Sequence, residues 1–119
     1  MKILYIEDSR EHIQTVQRIT RYLRHDLLTA ETAKSGYALL AQQPDLILLD
    51  ITLPDINGLD LARRLRSEGV TVPIIALTAN AVEYDEAQAR AAGCDEFLVK
   101  PYSAEQFMAL LARFAPLES

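Results

Sequence analysis

Residues 45–50, Asp45-Leu46-Ile47-Leu48-Leu49-Asp50, form a short apolar run that stops on a carboxylate. A run of this length and composition reads as a strand covered on both faces, the pattern of a parallel sheet packed between helices. Three more runs stop on polar side chains in the same way. Ile3-Leu4-Tyr5-Ile6 leads into Glu7-Asp8, Ile74-Ile75-Ala76-Leu77 into Thr78, and Phe97-Leu98-Val99 into Lys100-Pro101. Neighbouring parallel strands would share one carboxyl edge. The acids Glu7, Asp8 and Asp50, the Thr78 hydroxyl and the Lys100 ammonium would then meet in one crevice, where open parallel sheets bind their ligands.

Outward from these runs, strand-like segments alternate with helical ones. Strands are expected at 2–6, 27–31, 45–49, 73–77 and 95–99, which makes an α/β domain with a parallel sheet. Ile13, Val16, Ile19 and Leu23 line one face of the first helix. Phe107, Leu110, Leu111 and Phe114 recur at helical spacing in the last. Gly36 falls inside the second helix and Gly58 before the third, while Gly69 and Gly93 end the third and fourth as C-caps. Pro54-Asp55-Ile56-Asn57-Gly58 is a turn-rich loop directly after Asp50. The fourth helix, expected over 81–92, is Ala-rich and carries only Val82 and Tyr84 as bulky apolar residues. Such a helix buries little and should be weakly held.

The chain has 119 residues, half of them apolar and a quarter charged, with a formal net charge of −5. That length suits one domain with its own core, here 1–119. Lys and Arg are scattered, and Arg63-Arg64-Leu65-Arg66 reads as a solvated helix face, so direct nucleic-acid binding is not expected. No apolar run approaches the roughly 20 residues of a membrane helix, and no signal-peptide pattern opens the chain. The single Cys94 has no internal partner, which fits a cytoplasmic location, and reads as a small packed hydrophobe. His12 and His25 lack metal-ligand spacing; His12 reads as a solvent-facing helix residue near the crevice.

Three carboxylates close together repel and raise one another's pKa values, and a hard divalent cation with oxygen ligands relieves that repulsion. Asp8 three residues before Glu11 also fits a helix capping box, so Glu7-Asp8 has a structural alternative. Asp50 has fewer, because a carboxylate ending a buried strand has little structural use beyond capping the next loop. Thr78 and Lys100 taken singly read as a local backbone partner and a surface charge. With the acids, they supply the positioning and charge neutralisation that phosphoryl transfer needs. Lys100-Pro101 also invites a cis peptide bond that would set the direction of Lys100.

In this order and spacing, four motifs together resemble the receiver domain of two-component response regulators over essentially the whole chain. They are Tyr5-Ile6-Glu7-Asp8-Ser9, Asp45 through Gly58, Ile75-Ala76-Leu77-Thr78-Ala79, and Phe97-Leu98-Val99-Lys100-Pro101-Tyr102. The resemblance implies a doubly wound (βα)5 flavodoxin-like sandwich with parallel strands in the order 2-1-3-4-5 and helices on both faces. It implies that Asp50 is the nucleophile that takes a phosphoryl group from a histidine kinase or histidine phosphotransfer protein. Asp8, Asp50 and the Thr52 carbonyl match direct ligands of Mg²⁺, with Mn²⁺ as a substitute, and Glu7 would act through water. Thr78 and Lys100 match the groups that grip the phosphoryl oxygens, aided by the Thr52 and Ala79 backbone N–H groups. Phe97 matches the aromatic switch position, without the hydroxyl that a tyrosine would bring.

The implied output is a change in the face built from the fourth helix, fifth strand and fifth helix, which would control an output protein or attached effector. A homodimer through the same face is compatible with it. Catalysis would be confined to the chain's own phosphorylation and dephosphorylation. A phosphatase of the haloacid-dehalogenase type also uses a strand-end Asp with Mg²⁺, but wants an acid where Thr52 stands. A P-loop nucleotidase is excluded by the absence of its glycine-lysine motif. A pseudo-receiver that only binds protein would not be expected to keep every site position chemically workable. Met1-Lys2 directly before the first strand is expected to mark a natural amino terminus, of a stand-alone or amino-terminal receiver.

Overall fold

The computed structural model of the protein describes residues 1–115; residues 116–119, included in the single-domain expectation, lie outside the described residues. The strands are β1 (Lys2–Ile6), β2 (Asp26–Ala30), β3 (Leu46–Asp50), β4 (Ile74–Thr78) and β5 (Glu96–Val99). They form one parallel sheet in the order β2-β1-β3-β4-β5. The expected bounds of β2, β3 and β4 are displaced by one residue, and β5 starts one residue later than expected. Pairing persists through the polar ends: Ile51 donates its N–H to the Leu77 carbonyl at 2.9 Å and Lys100 to that of Thr78 at 2.7 Å. Asp50 and Thr78 are therefore the last residues of fully buried strands rather than the first of loops.

Helices α1 (Arg10–Tyr22), α2 (Ala33–Ala38), α3 (Gly58–Ser67), α4 (Glu86–Ala91) and α5 (Ala104–Phe114) alternate with the strands, and a 3-10 turn, Leu39–Gln42, follows α2. The period-2 geometry of a strand sends alternate side chains to opposite faces. Leu4, Ile6, Ile47, Leu49, Ile74 and Ala76 pack in one core with Leu61, Leu65 and Ala89 of α3 and α4. Ile3, Tyr5, Leu46, Leu48, Ile75 and Leu77 pack in the other with Ile13, Val16, Phe107 and Leu111 of α1 and α5. Each fully buried Leu or Ile contributes about 1.5–3 kcal/mol relative to exposure, so both layers weigh heavily in a domain of this size.

Local chemistry sets the helix ends. The expected Asp8–Glu11 capping box does not form; Ser9 is the N-cap of α1 and accepts the His12 N–H. Thr32, Asp85 and Ser103 begin α2, α4 and α5 with reciprocal capping boxes. Gly58 is the first residue of α3, not the residue before it, because Asn57 takes the cap. Gly69 and Gly93 follow α3 and α4 with φ of 93° and 103°, the left-handed conformation expected of them.

The fourth helix is the main departure from expectation. It spans Glu86–Ala91 rather than 81–92. Asn80 Oδ1 accepts the Glu83 N–H at 3.1 Å and Asp85 Oδ1 the Gln88 N–H at 2.8 Å. These side chains hold the backbone in a turn before α4 and delay the helix to the second cap. Of the α4 residues only Ala89 is buried, in keeping with a lightly packed element.

Arg66 was expected on a solvated face and is instead a structural clamp. Its guanidinium donates to the carbonyls of Gly93, Val70 and Val72 at 2.9, 2.9 and 2.7 Å, and to Asp95 Oδ2 at 2.9 Å. Asp95 Oδ2 also accepts the Ile74 N–H. One side chain thus joins the amino-terminal ends of β4 and β5.

Candidate functional site

The carboxyl ends of β1, β3, β4 and β5 converge as the four sequence endings require. Glu7, Asp8 and Asp50 each offer an oxygen within 4.8 Å of the others. Asp8 is exposed, while Glu7 and Asp50 are 1% and 6% exposed, so two of the acids sit in a region of low dielectric. Lys100, on the residue after β5, reaches across the edge. Its Nζ lies 2.5 Å from Glu7 Oε1 and 3.7 Å from Asp50 Oδ1. The Lys100–Pro101 peptide is cis.

Glu7 is the most heavily bonded acid of the group. Oε1 accepts from Lys100 and from the Tyr5 hydroxyl at 3.0 Å, and Oε2 accepts the Ser9 N–H at 3.2 Å. Burial pushes its pKa up, but the Lys100 bond and charge, the Ser9 N–H and the Tyr5 hydroxyl outweigh it, and the carboxyl is held below the ordinary range. Asp50 has the opposite balance. Burial and then the negative charge of Glu7 push it up to about 7, against the pull of Lys100 and the Thr52 N–H at 3.4 Å. The Tyr5 phenol is raised by burial and by Glu7, so it stays a donor.

Thr78 is wholly buried, and its hydroxyl accepts the Asn80 N–H at 2.9 Å. It occupies the local role that the residue read alone suggests, and it makes no side-chain hydrogen bond to Asp50 or Lys100 among the described residues. Ala79 is exposed next to it and lines, with His12, Thr15, Lys100, Pro101 and Tyr102, a cavity of about 410 Å³. Phe97 is half-buried and packs against the core that also takes Tyr84.

The loop after Asp50 is folded back tightly. Thr52 bridges to Asn57, and Gly58 donates its N–H to the Ile51 carbonyl at 2.7 Å. A Cβ on Gly58 would lie 2.3 Å from the Asp50 carbonyl oxygen, so only glycine admits this approach. Asn57 Nδ2 in turn donates to the Tyr84 hydroxyl at 2.8 Å, joining this loop to the segment before α4. Asp55 Oδ1 and Oδ2 accept the Ala33 and Lys34 N–H groups, tying the loop to the start of α2.

Sequence reading anticipated His12 as exposed and near the crevice, but not its contact: Nδ1 is 3.1 Å from Lys100 Nζ. It also overlooked Tyr5 and the Asn57–Tyr84 pair. Tyr5 was within reach, because residues two apart along an extended segment share a face. The Asn57–Tyr84 contact spans 27 residues and leaves no local trace.

The chain is similar to known proteins over most of its length. The family described as the response regulator receiver domain matches residues 3–112. The virulence transcriptional regulatory protein PhoP of Shigella flexneri is 38% identical over 113 residues, covering 92% of this chain and 49% of PhoP. The chain thus spans about half the length of the curated relatives it matches. Among solved structures, the BeF3-activated N-terminal receiver domain of Klebsiella pneumoniae RstA superposes with a TM-score of 0.89 at 25% identity, covering 96% and 97% of the two chains. The receiver domain of the sensor histidine kinase PA1611 from Pseudomonas aeruginosa, which holds a magnesium ion in its active-site cleft, gives a TM-score of 0.84. It is 30% identical and 95% of each chain is covered.

Proposed function

We propose, from the premise that this chain belongs to the response regulator receiver domain family, that Asp50 is its phospho-accepting nucleophile. Family membership implies phosphorylation-dependent signalling, with a histidine kinase upstream and an output effector downstream. The observation that carries the assignment is a buried strand-end carboxylate, 3.7 Å from a lysine and clustered with two further acids.

In the proposed reaction an Asp50 carboxylate oxygen attacks the phosphorus of a phosphohistidine on the kinase or on a phosphotransfer protein. The P–N bond breaks as the P–O bond forms, and the imidazole leaves with the electron pair. Lys100 exchanges its contact with Glu7 for the phosphoryl oxygens, and the Thr52 and Ala79 backbone N–H groups add donors. Thr78 releases the Asn80 N–H and turns its hydroxyl toward the phosphoryl group. Phe97, half-buried, then follows the space that Thr78 vacates.

The donor set fits Mg²⁺, with Mn²⁺ as a substitute: the oxygens are hard, and Asp50 carries a repulsion from Glu7 that a divalent cation relieves. Asp8, Asp50 and the Thr52 carbonyl would hold the ion directly and Glu7 through water. Bound there, it would neutralise charge shared between the acids and the transferred group.

The proposed output surface comprises α4, β5 and α5. Arg90 and Arg113 both reach Glu96 across it, at 3.8 and 2.6 Å. Val82, in the turn before α4, and Val99, the last residue of β5, are exposed. Dimerisation would use this face. A single receiver unit over 1–119, acting in the cytoplasm without touching nucleic acid itself, completes the proposal. Among the described residues no helix is long and apolar enough to cross a membrane.

Intact-mass measurement after incubation with Mg²⁺ and a small acyl phosphate tests the reading. One added phosphoryl group is expected, lost in Asp50→Asn and in excess chelator. Catalytic turnover of the donor without a stable adduct would favour a phosphatase, and a silent protein would indicate a binding module.

A further inference from the structure

One buried hydroxyl at this site has no part in the scheme above. Tyr5 is fully buried in the core between the sheet and α1 and α5, where its neighbours in the cluster are apolar apart from Tyr102, whose phenol faces that of Tyr5. A phenylalanine would fill such a position without a polar group to satisfy. The Tyr5 hydroxyl instead donates to Glu7 Oε1 at 3.0 Å, the same oxygen that Lys100 grips at 2.5 Å. The two residues meet because Glu7, directly after β1, continues its pairing through an N–H donated to the Ala30 carbonyl and so falls on the same face as Tyr5. Glu7 Oε2 is taken by the Ser9 N–H, so the carboxylate is held at both ends.

This matters when Lys100 moves. Lys100 contacts Glu7 closely and Asp50 only at 3.7 Å, so engaging a phosphoryl group on Asp50 means leaving Glu7 Oε1. Without the Tyr5 hydroxyl, that departure would leave Oε1 of a carboxylate that is 1% exposed with no hydrogen-bond donor, at a heavy desolvation cost. With the Tyr5 hydroxyl in place, Oε1 keeps a donor and Glu7 keeps its orientation after Lys100 has gone.

We propose that Tyr5 is a positioning residue for phosphoryl transfer: its hydroxyl fixes the Glu7 carboxylate and so frees Lys100 to reach the group on Asp50. The inference rests on the assignment of Asp50 as the phosphoryl acceptor. It does not depend on a change of protonation at any of these groups.

The test is the rate of phosphoryl uptake from a small acyl phosphate at saturating Mg²⁺, read by intact mass on the full chain. Tyr5→Phe removes only the hydroxyl and should slow uptake about tenfold, the low end for loss of an outer partner of a reactive site. Tyr5→Leu, which suits a strand that already carries Ile3, should show the same loss. Ile3→Val lies on the same face of β1 and costs stability without touching Glu7, so its rate should equal that of the wild type. In a Glu7→Ala background, Tyr5→Phe should have no further effect, since its route to Lys100 is already cut. Uptake by Tyr5→Phe within about twofold of wild type would overturn the inference, as would an undiminished tenfold effect in the Glu7→Ala background. Equal slowing by Ile3→Val would assign the loss to stability and overturn it too. If wild type itself takes up no phosphoryl group, or Asp50→Asn takes it up equally, the underlying assignment has failed instead.

Discussion

Asp50→Asn should make the metal-free protein more stable, although it removes the residue on which the proposed function depends. Asp50 is 6% exposed and faces the ionised Glu7, and its pKa is pushed from 3.8 up to about 7. A carboxyl raised in the folded state costs nothing where both states are protonated, below 3.8. The cost grows as pH rises through the window from 3.8 to about 7 and is complete above it. That cost is about 4 kcal/mol. Asn keeps the size and some hydrogen bonding but is itself a buried polar group, which leaves a net gain of about 1–2 kcal/mol. Lys100 is not orphaned, because Glu7 holds it at 2.5 Å. Urea unfolding followed by far-ultraviolet circular dichroism in excess chelator measures the difference. At about pH 8 the variant should be the more stable, with a melting temperature roughly 5–10 °C higher. At about pH 5 the gap should narrow, since Asp50 in the wild type is then largely protonated. Added Mg²⁺ should reverse the order, because saturation to 100 times the dissociation constant adds about 2.7 kcal/mol to a protein that keeps its ligand. A variant less stable than wild type in chelator at the higher pH would refute the reasoning, as would a gap independent of pH.

Gly58→Ala should destabilise the fold by about 2–4 kcal/mol, since the new methyl meets backbone that cannot yield; thermal melting of the variant gives the value. Arg66→Ala should cost about 2 kcal/mol by leaving carbonyls at the β4 and β5 entrances short of a donor, and urea titration would detect it. Amide hydrogen exchange should be fast over residues 80–91 and slow over β3 and β4, and uniform strong protection across 81–92 would contradict a lightly packed α4.

The sheet was legible in the sequence because β3 and β4 are buried on both faces, and nothing but apolar side chains fits there until the last residue. The polar endings of β1, β3 and β5 pointed to the cluster of Glu7, Asp8, Asp50 and Lys100, because charges that follow apolar runs along one sheet edge call for explanation. The start of α4 was misread because Ala-rich sequence favours helix, whereas Asn80 and Asp85 compete for the same N–H groups. Arg66 looked like part of a charge run since its partners at Val70, Val72, Gly93 and Asp95 are defined only by the fold. Tyr5 resembled an ordinary strand aromatic, and its hydroxyl became informative only once Glu7 was known to turn inward.

The Arg66 clamp fastens one end of the sheet and leaves the other, where the proposed site lies, without such a tie among the described residues. It grips β4 and β5 where they enter the sheet, the far side from Thr78 and Lys100. A strand fastened at one end behaves as a lever with its fulcrum there, so on the proposed switch a displacement begun at Thr78 would be greatest at the turn before α4 and would die away toward Gly93. The segment that would travel furthest under such a constraint, residues 79–85, is also the one that exposes Val82 completely.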